Sequence, residues 1–187
     1  MPTTNDHAID ELDHARDVQA IQRFREAAAN AHVETTYVPV ERATEAIADA
    51  IEGDAVGSTL PFETVTLPEK VRTDPTDDDL RTAQTGVTAA AFAIASYGTV
   101  AIPMTEHKEG PVSLFPPTQV AVVLARDVHP DMATAFEVLA RLFDDGTKDV
   151  IFVTGPSSTG DMGSLVRGVH GPEAVSVIIV DTTGEGI

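Results

Sequence analysis

The chain has 187 residues, no Cys and no Trp, and its 12 Lys and Arg against 30 Asp and Glu give a formal net charge of −18. This length suits a single domain over residues 1–187 whose core needs no disulfide or metal, and the lack of Cys excludes thiol nucleophiles and Cys-held iron–sulfur clusters from this chain. The acidic excess argues against nucleic acid and anionic membranes as partners, since phosphate recognition requires clustered cations.

The N-terminal part of the chain predicts two helices and several short strands. Apolar residues at spacings of three and four predict a helix over residues 8–31, and VETTYVPV predicts a strand over 33–40. A second helix is expected over 41–52, ended by Gly53. Short strands are then predicted at DAVGST (54–59) and ETVTLP (63–68). The acidic segment TDPTDDD (73–79) predicts a turn that caps a helix at Asp78 or Asp79.

The C-terminal part alternates apolar runs with one long amphipathic segment. HPDMATAFEVLARLFDDG (129–146) predicts a helix, with Pro130 near its start and Gly146 after its end. EHKEGPVSLFPP (106–117) has the prolines of a loop, SLVRG (164–168) suggests a short helix, and TTGEGI (182–187) a loose tail. Four further stretches predict strands, the second and third buried on both faces: TVAIPM (99–104), QVAVVLA (119–125), DVIFVTG (149–155) and AVSVIIVD (174–181). Alternating strands and helices predict an α/β fold, with a mostly parallel sheet flanked by helices.

The acidic residues are spread along the chain, and only three basic residues are Lys. This pattern favours adaptation to a salty cytoplasm, where salt screens the repulsion between carboxylates, over an ordinary acidic protein. No apolar run approaches the roughly 20 residues that cross a bilayer, and the polar N-terminus is unlike a signal peptide. We therefore expect a cytoplasmic protein without membrane insertion.

Three stretches resemble the LUD (lactate utilisation) domain family, and together they cover about residues 84–181. They are GPSSTGDM (155–162) with GVHGP (168–172), TGVTAAAFAIASYGTV (85–100) and SLFPPTQVAVV (113–123). The chain departs from the family at Ser158, and at Gly110 and Pro111, where basic residues are usual. The resemblance implies a fold like that of the glucosamine-phosphate isomerase, ribose-phosphate isomerase and CoA-transferase group. It also implies a part in oxidising L-lactate to pyruvate beside iron–sulfur partner proteins, which would carry the clusters.

The Gly, Ser and Thr residues after DVIFV suggest a ligand loop, because open α/β sheets bind ligands at the carboxyl ends of strands. Spacing alone is equally compatible with a capped turn, and the resemblance favours the site. A small anionic metabolite is expected to bind at Gly155, Ser157, Ser158, Thr159 and Gly171, with Gly98 and Thr99 as a second wall; close packing around small residues is the alternative for that wall.

His170 and Asp161 are the candidate catalytic residues. His170 has the chemistry of an acid, base or anion donor near neutral pH, and Asp161 that of a base, an orienting partner or a cap. The alternative for a lone His is a hydrogen-bonded structural residue. The scattered His residues predict no metal site.

Three functions compete. The first is an accessory subunit of a lactate-oxidising system that binds a small anion and works with iron–sulfur proteins. The second is a stand-alone isomerase- or CoA-transferase-like enzyme on an organic acid or sugar phosphate. The fold that the resemblance implies would hold a nucleophilic glutamate at Glu106 or Glu109, but a solvated acidic loop is the favoured interpretation of these residues. The third is an interaction protein without a pocket. Each is compatible with a homo-oligomer.

Overall fold

A computed structural model of the chain describes residues 18–160 and 166–183. Four parts of the sequence-based predictions therefore lie outside the described residues: the first part of the N-terminal helix (8–17), Asp161, the first two residues of SLVRG (164–165) and the last residues of the tail (184–187).

The described residues form five helices and twelve strands. The helices are α1 (residues 18–30), α2 (Ala43–Asp49), α3 (Asp77–Thr82), α4 (Glu109–Leu114) and α5 (Met132–Asp144), with 3-10 turns at Val40–Arg42 and Ala125–Asp127. The strands are β1 (Val33–Pro39), β2 (Ala55–Gly57), β3 (Val71–Thr73), β4 (Thr85–Ala89), β5 (Phe92–Ile94), β6 (Thr99–Met104), β7 (Thr118–Leu124), β8 (Val128–His129), β9 (Asp149–Val153), β10 (Ser158–Thr159), β11 (Val166–Arg167) and β12 (Ala174–Asp181). No helix within these ranges is both long and apolar enough to span a bilayer.

The main sheet has six strands in the order β1-β12-β7-β4-β2-β3, and every neighbouring pair is parallel. Strands β7 and β12 lie inside this sheet and are covered on both faces, which is why their sequences are almost continuously apolar. The predicted α/β fold with a mostly parallel sheet flanked by helices is confirmed.

A second sheet of four strands, in the order β8-β5-β6-β9, packs on one face of the main sheet. In this sheet β6 runs antiparallel to both of its neighbours, and β5 pairs with β8 in parallel. Strands β10 and β11 form a separate antiparallel ribbon.

The core consists of apolar layers between these elements. Phe24 and Ile21 of α1 pack with the second sheet on one face of the main sheet. Ile47 of α2 packs on the opposite face together with the segment that follows β2. Helix α5 covers the outer face of the second sheet, with Ala135 against Phe92 and Ile94. The second sheet therefore lies between α5 and the main sheet.

Three predictions for the first half need correction. ETVTLP is not a strand, because its backbone is irregular. Val65 is buried and Leu67 half-buried against the α2 face of the main sheet, and the Thr66 carbonyl accepts a hydrogen bond from the Thr44 hydroxyl at 2.9 Å. The strand forms at Val71–Thr73 instead. The predicted 41–52 helix is shorter at both ends, and the cap of α3 is Thr76, which forms a reciprocal capping box with Asp79.

Three predictions for the second half also need correction. The proline-rich segment 106–117 contains α4, with Pro111 in its first turn, where the missing N–H removes no helical hydrogen bond. Strand β9 is half-exposed rather than buried, because it belongs to the second sheet and lies at its edge. Val166 and Arg167 of SLVRG form strand β11 instead of a helix.

Candidate functional site

Most of the predicted ligand-binding residues lie in two segments that the structure brings together. Ser158 and Thr159 pair with Arg167 and Val166 in the β10–β11 ribbon. The Ser157 N–H donates to the Pro172 carbonyl, and the Gly168 N–H donates to the Ser157 carbonyl, both at 2.9 Å. The Gly and Ser segment that follows β9 and the GVHGP segment therefore form one local unit.

Gly171 lies close to both Ser157 and α4. A Cβ atom at Gly171 would lie 3.3 Å from the Ser157 Cβ and 3.9 Å from a methyl carbon of Leu114 in α4. The loop that follows β9, the loop that precedes β12 and the end of α4 therefore meet at this position.

The unit lies at the amino edge of the main sheet, whereas a ligand loop was expected at the carboxyl ends of parallel strands. GVHGP leads directly into β12 and SLFPP directly into β7, and the N–H groups of Glu173 and Ala174 donate to the Pro117 carbonyl at 2.7 and 3.1 Å. Because β12 runs parallel to β7, the chain must return to the amino edge after β9 before β12 can begin.

A groove of about 470 Å³ opens between α4 and this loop. The side chains of Met104, Pro111, Leu114, Phe115 and Val169 make its lining mainly apolar, and Phe115 and Val169 are 64% and 50% exposed. His170 is exposed and is the one ionisable side chain among the described residues that line the groove. The groove therefore offers apolar contacts, backbone groups and one imidazole.

The apolar residues of α4 and Met104 are the part of this groove that sequence reasoning missed. SLFPP was noted only as a lead into a strand, and Met104 only as the end of one. Exposed Leu114 and Phe115 directly before two prolines were the available signal, since neighbouring large apolar residues in a loop often mark an interaction site.

Gly98, Thr99 and Gly155 lie at a different place, where Gly98 and Gly155 pack against the end of α1. A Cβ atom at Gly98 would lie 2.4 Å from the Ala28 nitrogen, and one at Gly155 would lie 2.3 Å from the Ala31 carbonyl oxygen. The Thr99 hydroxyl is buried and lies 2.6 Å from the Thr154 hydroxyl. Gly98 and Gly155 therefore join α1 to the second sheet, Thr99 joins the start of β6 to Thr154, and none of the three lines the groove.

The basic residues nearby face other directions. Arg167 lines a mixed-charge depression on the main sheet together with Arg42, Glu173 and Asp49. Lys108 is bound to the Asp74 carboxylate at 3.2 Å and to the Pro75 carbonyl at 2.6 Å. An anionic ligand in the groove would therefore depend on His170 and on backbone N–H groups.

The two glutamates after β6 have different environments. Glu106 lies in an exposed turn. Glu109 is buried, and its carboxylate accepts the Thr105 N–H at 3.0 Å and the Thr105 hydroxyl at 2.8 Å. Glu109 therefore anchors the start of α4. In the part of the chain that the structure describes, no three His, Asp or Glu side chains cluster as metal ligands would.

A buried carboxylate at the end of β12 has a structural role. Asp181 accepts the Thr183 N–H and hydroxyl, each at 2.7 Å, and a hydrogen bond from the Tyr37 hydroxyl of β1. Burial, the negative charge of Asp181 and that hydrogen bond raise the pKa of Tyr37 to about 12. This pair ties the carboxyl ends of β1 and β12 together, at the edge opposite the groove.

The model of the LUD domain family matches residues 66–180, more than half of the chain. Lactate utilization protein C of Bacillus licheniformis is 37% identical over 105 residues, and that of Bacillus velezensis is 33% identical over 103 residues. Each match covers 53% of this chain and 43% of the relative, so it spans less than half of the relatives' length.

The fold also has a solved counterpart. A crystal structure of a DUF162 family protein from Deinococcus radiodurans matches with a TM-score of 0.70 and 23% sequence identity, over 88% of this chain and 98% of that chain. At this identity the likeness concerns the fold alone.

Proposed function

This chain belongs to the LUD domain family, and from that premise we propose that it is a subunit of a lactate-utilisation system that binds a small carboxylate in the groove beside His170. The observation that carries the proposal is that two stretches of the family resemblance, GVHGP and SLFPP, line a single groove, with Ser157 of GPSST packed against Gly171 behind it. The relatives named lactate utilization protein C supply the pathway.

The lining of the groove suits lactate or pyruvate in two respects. Each molecule carries one methyl group, which matches the apolar surface of Leu114, Phe115 and Val169. Each also carries one carboxylate, which the imidazole of His170 and backbone N–H groups of the groove would bind as donors. A phosphorylated sugar requires more cationic groups than the described lining offers.

The redox chemistry belongs to partner proteins under this proposal. The chain has no Cys to hold an iron–sulfur cluster, so the electrons from lactate would pass to clusters on other subunits. This chain would present or retain the carboxylate. Asp161, which lies outside the described residues, is proposed to hold the loop or to set the tautomer of His170.

Calorimetric titration of the purified chain with L-lactate and pyruvate tests the binding step. Propionate shows whether the oxygen on the second carbon matters, and inorganic phosphate shows whether any anion suffices. We expect His170→Ala to weaken binding at least tenfold without lowering the melting temperature, since His170 is exposed and contributes little to the core. His107→Ala is the matched control, because His107 is also exposed but lies outside the groove.

Two results would contradict the binding proposal: equal affinity of the two variants for lactate, or no binding of either organic acid by the wild-type chain.

Deletion of the gene in its host tests the pathway separately. We expect loss of growth on lactate with growth on pyruvate intact, and unimpaired lactate oxidation would remove the assignment whatever the groove binds.

The alternative, a stand-alone isomerase- or CoA-transferase-like enzyme, remains a prediction. An acyl-CoA transfer assay with Glu106→Gln tests it, and transfer that depends on Glu106 would favour this alternative over the subunit role.

A further inference from the structure

Strand β9 leaves an open edge on the second sheet. Among the described residues β9 is the outermost strand, pairing with β6 on its inner side alone. Its sequence is DVIFV, so four of its five residues are apolar. An unpaired strand of this composition presents backbone N–H and carbonyl groups that favour pairing with another strand.

The sheet face beside this edge is incompletely covered. Helix α5 packs mainly against β5 and β8, at the opposite side of the sheet from β9. Phe152 of β9 is 43% exposed, although its ring lies 6.2 Å from that of Phe92. Phe136 and Phe143 of α5, seven residues apart, are 54% and 46% exposed. Besides Phe115 in the groove, three of the seven Phe residues of the chain are thus solvent-exposed, two on α5 and one on β9.

We propose that this edge is the contact between two copies of the chain, with the β9 strands paired antiparallel about a two-fold axis at Ile151. Ile151 is the middle residue of β9, so this register pairs all five residues. It sets Val150 opposite Phe152 of the partner subunit and Asp149 opposite Val153 of the partner subunit. No like charges then stand directly opposite each other, which matters in a chain with a net charge of −18.

The pairing makes one continuous sheet of eight strands from the two four-stranded sheets. Both α5 helices then lie on the same face of that sheet, because a two-fold axis perpendicular to a sheet does not exchange its faces. The exposed Phe152 gains the Val150 side chain of the partner subunit as a neighbour, and the backbone groups of β9 gain hydrogen bonds.

A second copy fits this edge better than an additional domain does. The crystal structure that shares the fold is matched over 98% of its length, so it contains no sizeable extra segment that would cover the corresponding face. An apolar edge strand with a self-complementary register can pair with the same strand of a second copy in an isologous contact.

Light scattering of the full chain after size exclusion, in millimolar and in molar KCl, tests the proposal. We expect the mass of a dimer, favoured at high salt because salt screens the repulsion between two acidic chains. Phe152→Lys is expected to give a monomer, and Tyr97→Lys, an equal charge change at an exposed aromatic residue outside β9, is expected to remain a dimer. Circular dichroism shows whether each variant is folded.

If Phe152→Lys fails to fold, a disulfide crosslink tests the pairing of the two β9 strands instead. The chain contains no Cys, so Ile151→Cys introduces a single thiol. Residues that oppose each other in an antiparallel pair have Cα atoms about 4.5 or 5.5 Å apart, within the reach of a disulfide. We expect mild oxidation to link the two copies through Ile151→Cys and to leave Tyr97→Cys unlinked. A monomer at every protein and salt concentration, or a dimer that neither crosslinks at Ile151 nor responds to Phe152→Lys, would overturn the proposal.

Discussion

The substitution Gly98→Ala tests whether Gly98 is required for packing or for ligand binding. Gly98 has φ of +64°, and a Cβ atom there would lie 2.4 Å from the Ala28 nitrogen and 2.7 Å from the Ala27 carbonyl carbon. The added methyl group would therefore meet the backbone of α1, which cannot turn aside as a flexible side chain can.

Two costs add at this position. The left-handed conformation costs a non-glycine residue about 1–2 kcal/mol. Forcing a methyl group against packed backbone costs about 1–3 kcal/mol more. The sum is about 2–5 kcal/mol, a large share of the free energy of unfolding of an ordinary domain, about 5–15 kcal/mol. For a chain of this size the melting temperature should fall by roughly 4–20 °C.

Two other glycines provide matched controls. Gly146 has φ of +99° but no atom within 4 Å of its added Cβ, so Gly146→Ala should show the backbone cost alone, about 1–2 kcal/mol. Gly160 has neither a positive φ nor a near neighbour, so Gly160→Ala should melt close to the wild-type temperature. Calorimetry on the wild type and the three variants gives the order of their melting temperatures.

If Gly98→Ala melts no lower than Gly146→Ala, the contact with α1 costs nothing and Gly98 is not required by the packing. The structural role is also refuted if Gly98→Ala keeps the wild-type melting temperature but loses affinity for lactate. That second result would place Gly98 in the ligand site.

Three further predictions follow from charge and capping. The pKa of Tyr37 is raised to about 12 from its ordinary value of 10.0, so the unfolded chain loses this proton first and the free energy of unfolding should fall between pH 10 and 12. In Tyr97→Phe, where Tyr37 is the remaining Tyr, the phenolate absorbance should titrate near 12, and a midpoint near 10 would refute the prediction. The melting temperature should rise from millimolar to molar KCl, because salt screens the −18 charge, and an unchanged value would count against adaptation to salt. Thr76→Ala removes the capping box with Asp79 and should cost about 1 kcal/mol in denaturant unfolding, whereas no change would show that the cap adds nothing.

Elements with a strong local pattern were predictable from the sequence. The apolar run at Thr118–Leu124 and the final run at Ala174–Asp181 are strands inside the parallel sheet, and Met132–Asp144 is a helix that begins after Asp131. Continuous apolar runs and helical periodicity are properties of neighbouring residues, so they are present before the chain folds. The family resemblance in turn identified the segments that meet at the groove.

Features that depend on distant pairing were not predictable. Helix α4 packs so closely on β4 that a Cβ atom at Gly86 would clash with the Val112 carbonyl oxygen, and the proline-rich sequence of the segment does not predict this packing. ETVTLP had the composition of a strand but found no strand partner, whereas Val71–Thr73 paired with β2.

The position of the candidate site was decided by the tertiary structure. Composition marked His170, Ser157, Gly98 and Thr99 equally as small or polar residues in loops. The parallel pairing of β12 with β7 places His170 in the groove at the amino edge and Ser157 behind it against Gly171, whereas Gly98 packs against α1 and Thr99 is buried beside Thr154. Sequence alone established which residues have the chemistry for binding, and strand order and helix packing decided which of them share a groove, because those depend on contacts between residues far apart in the chain.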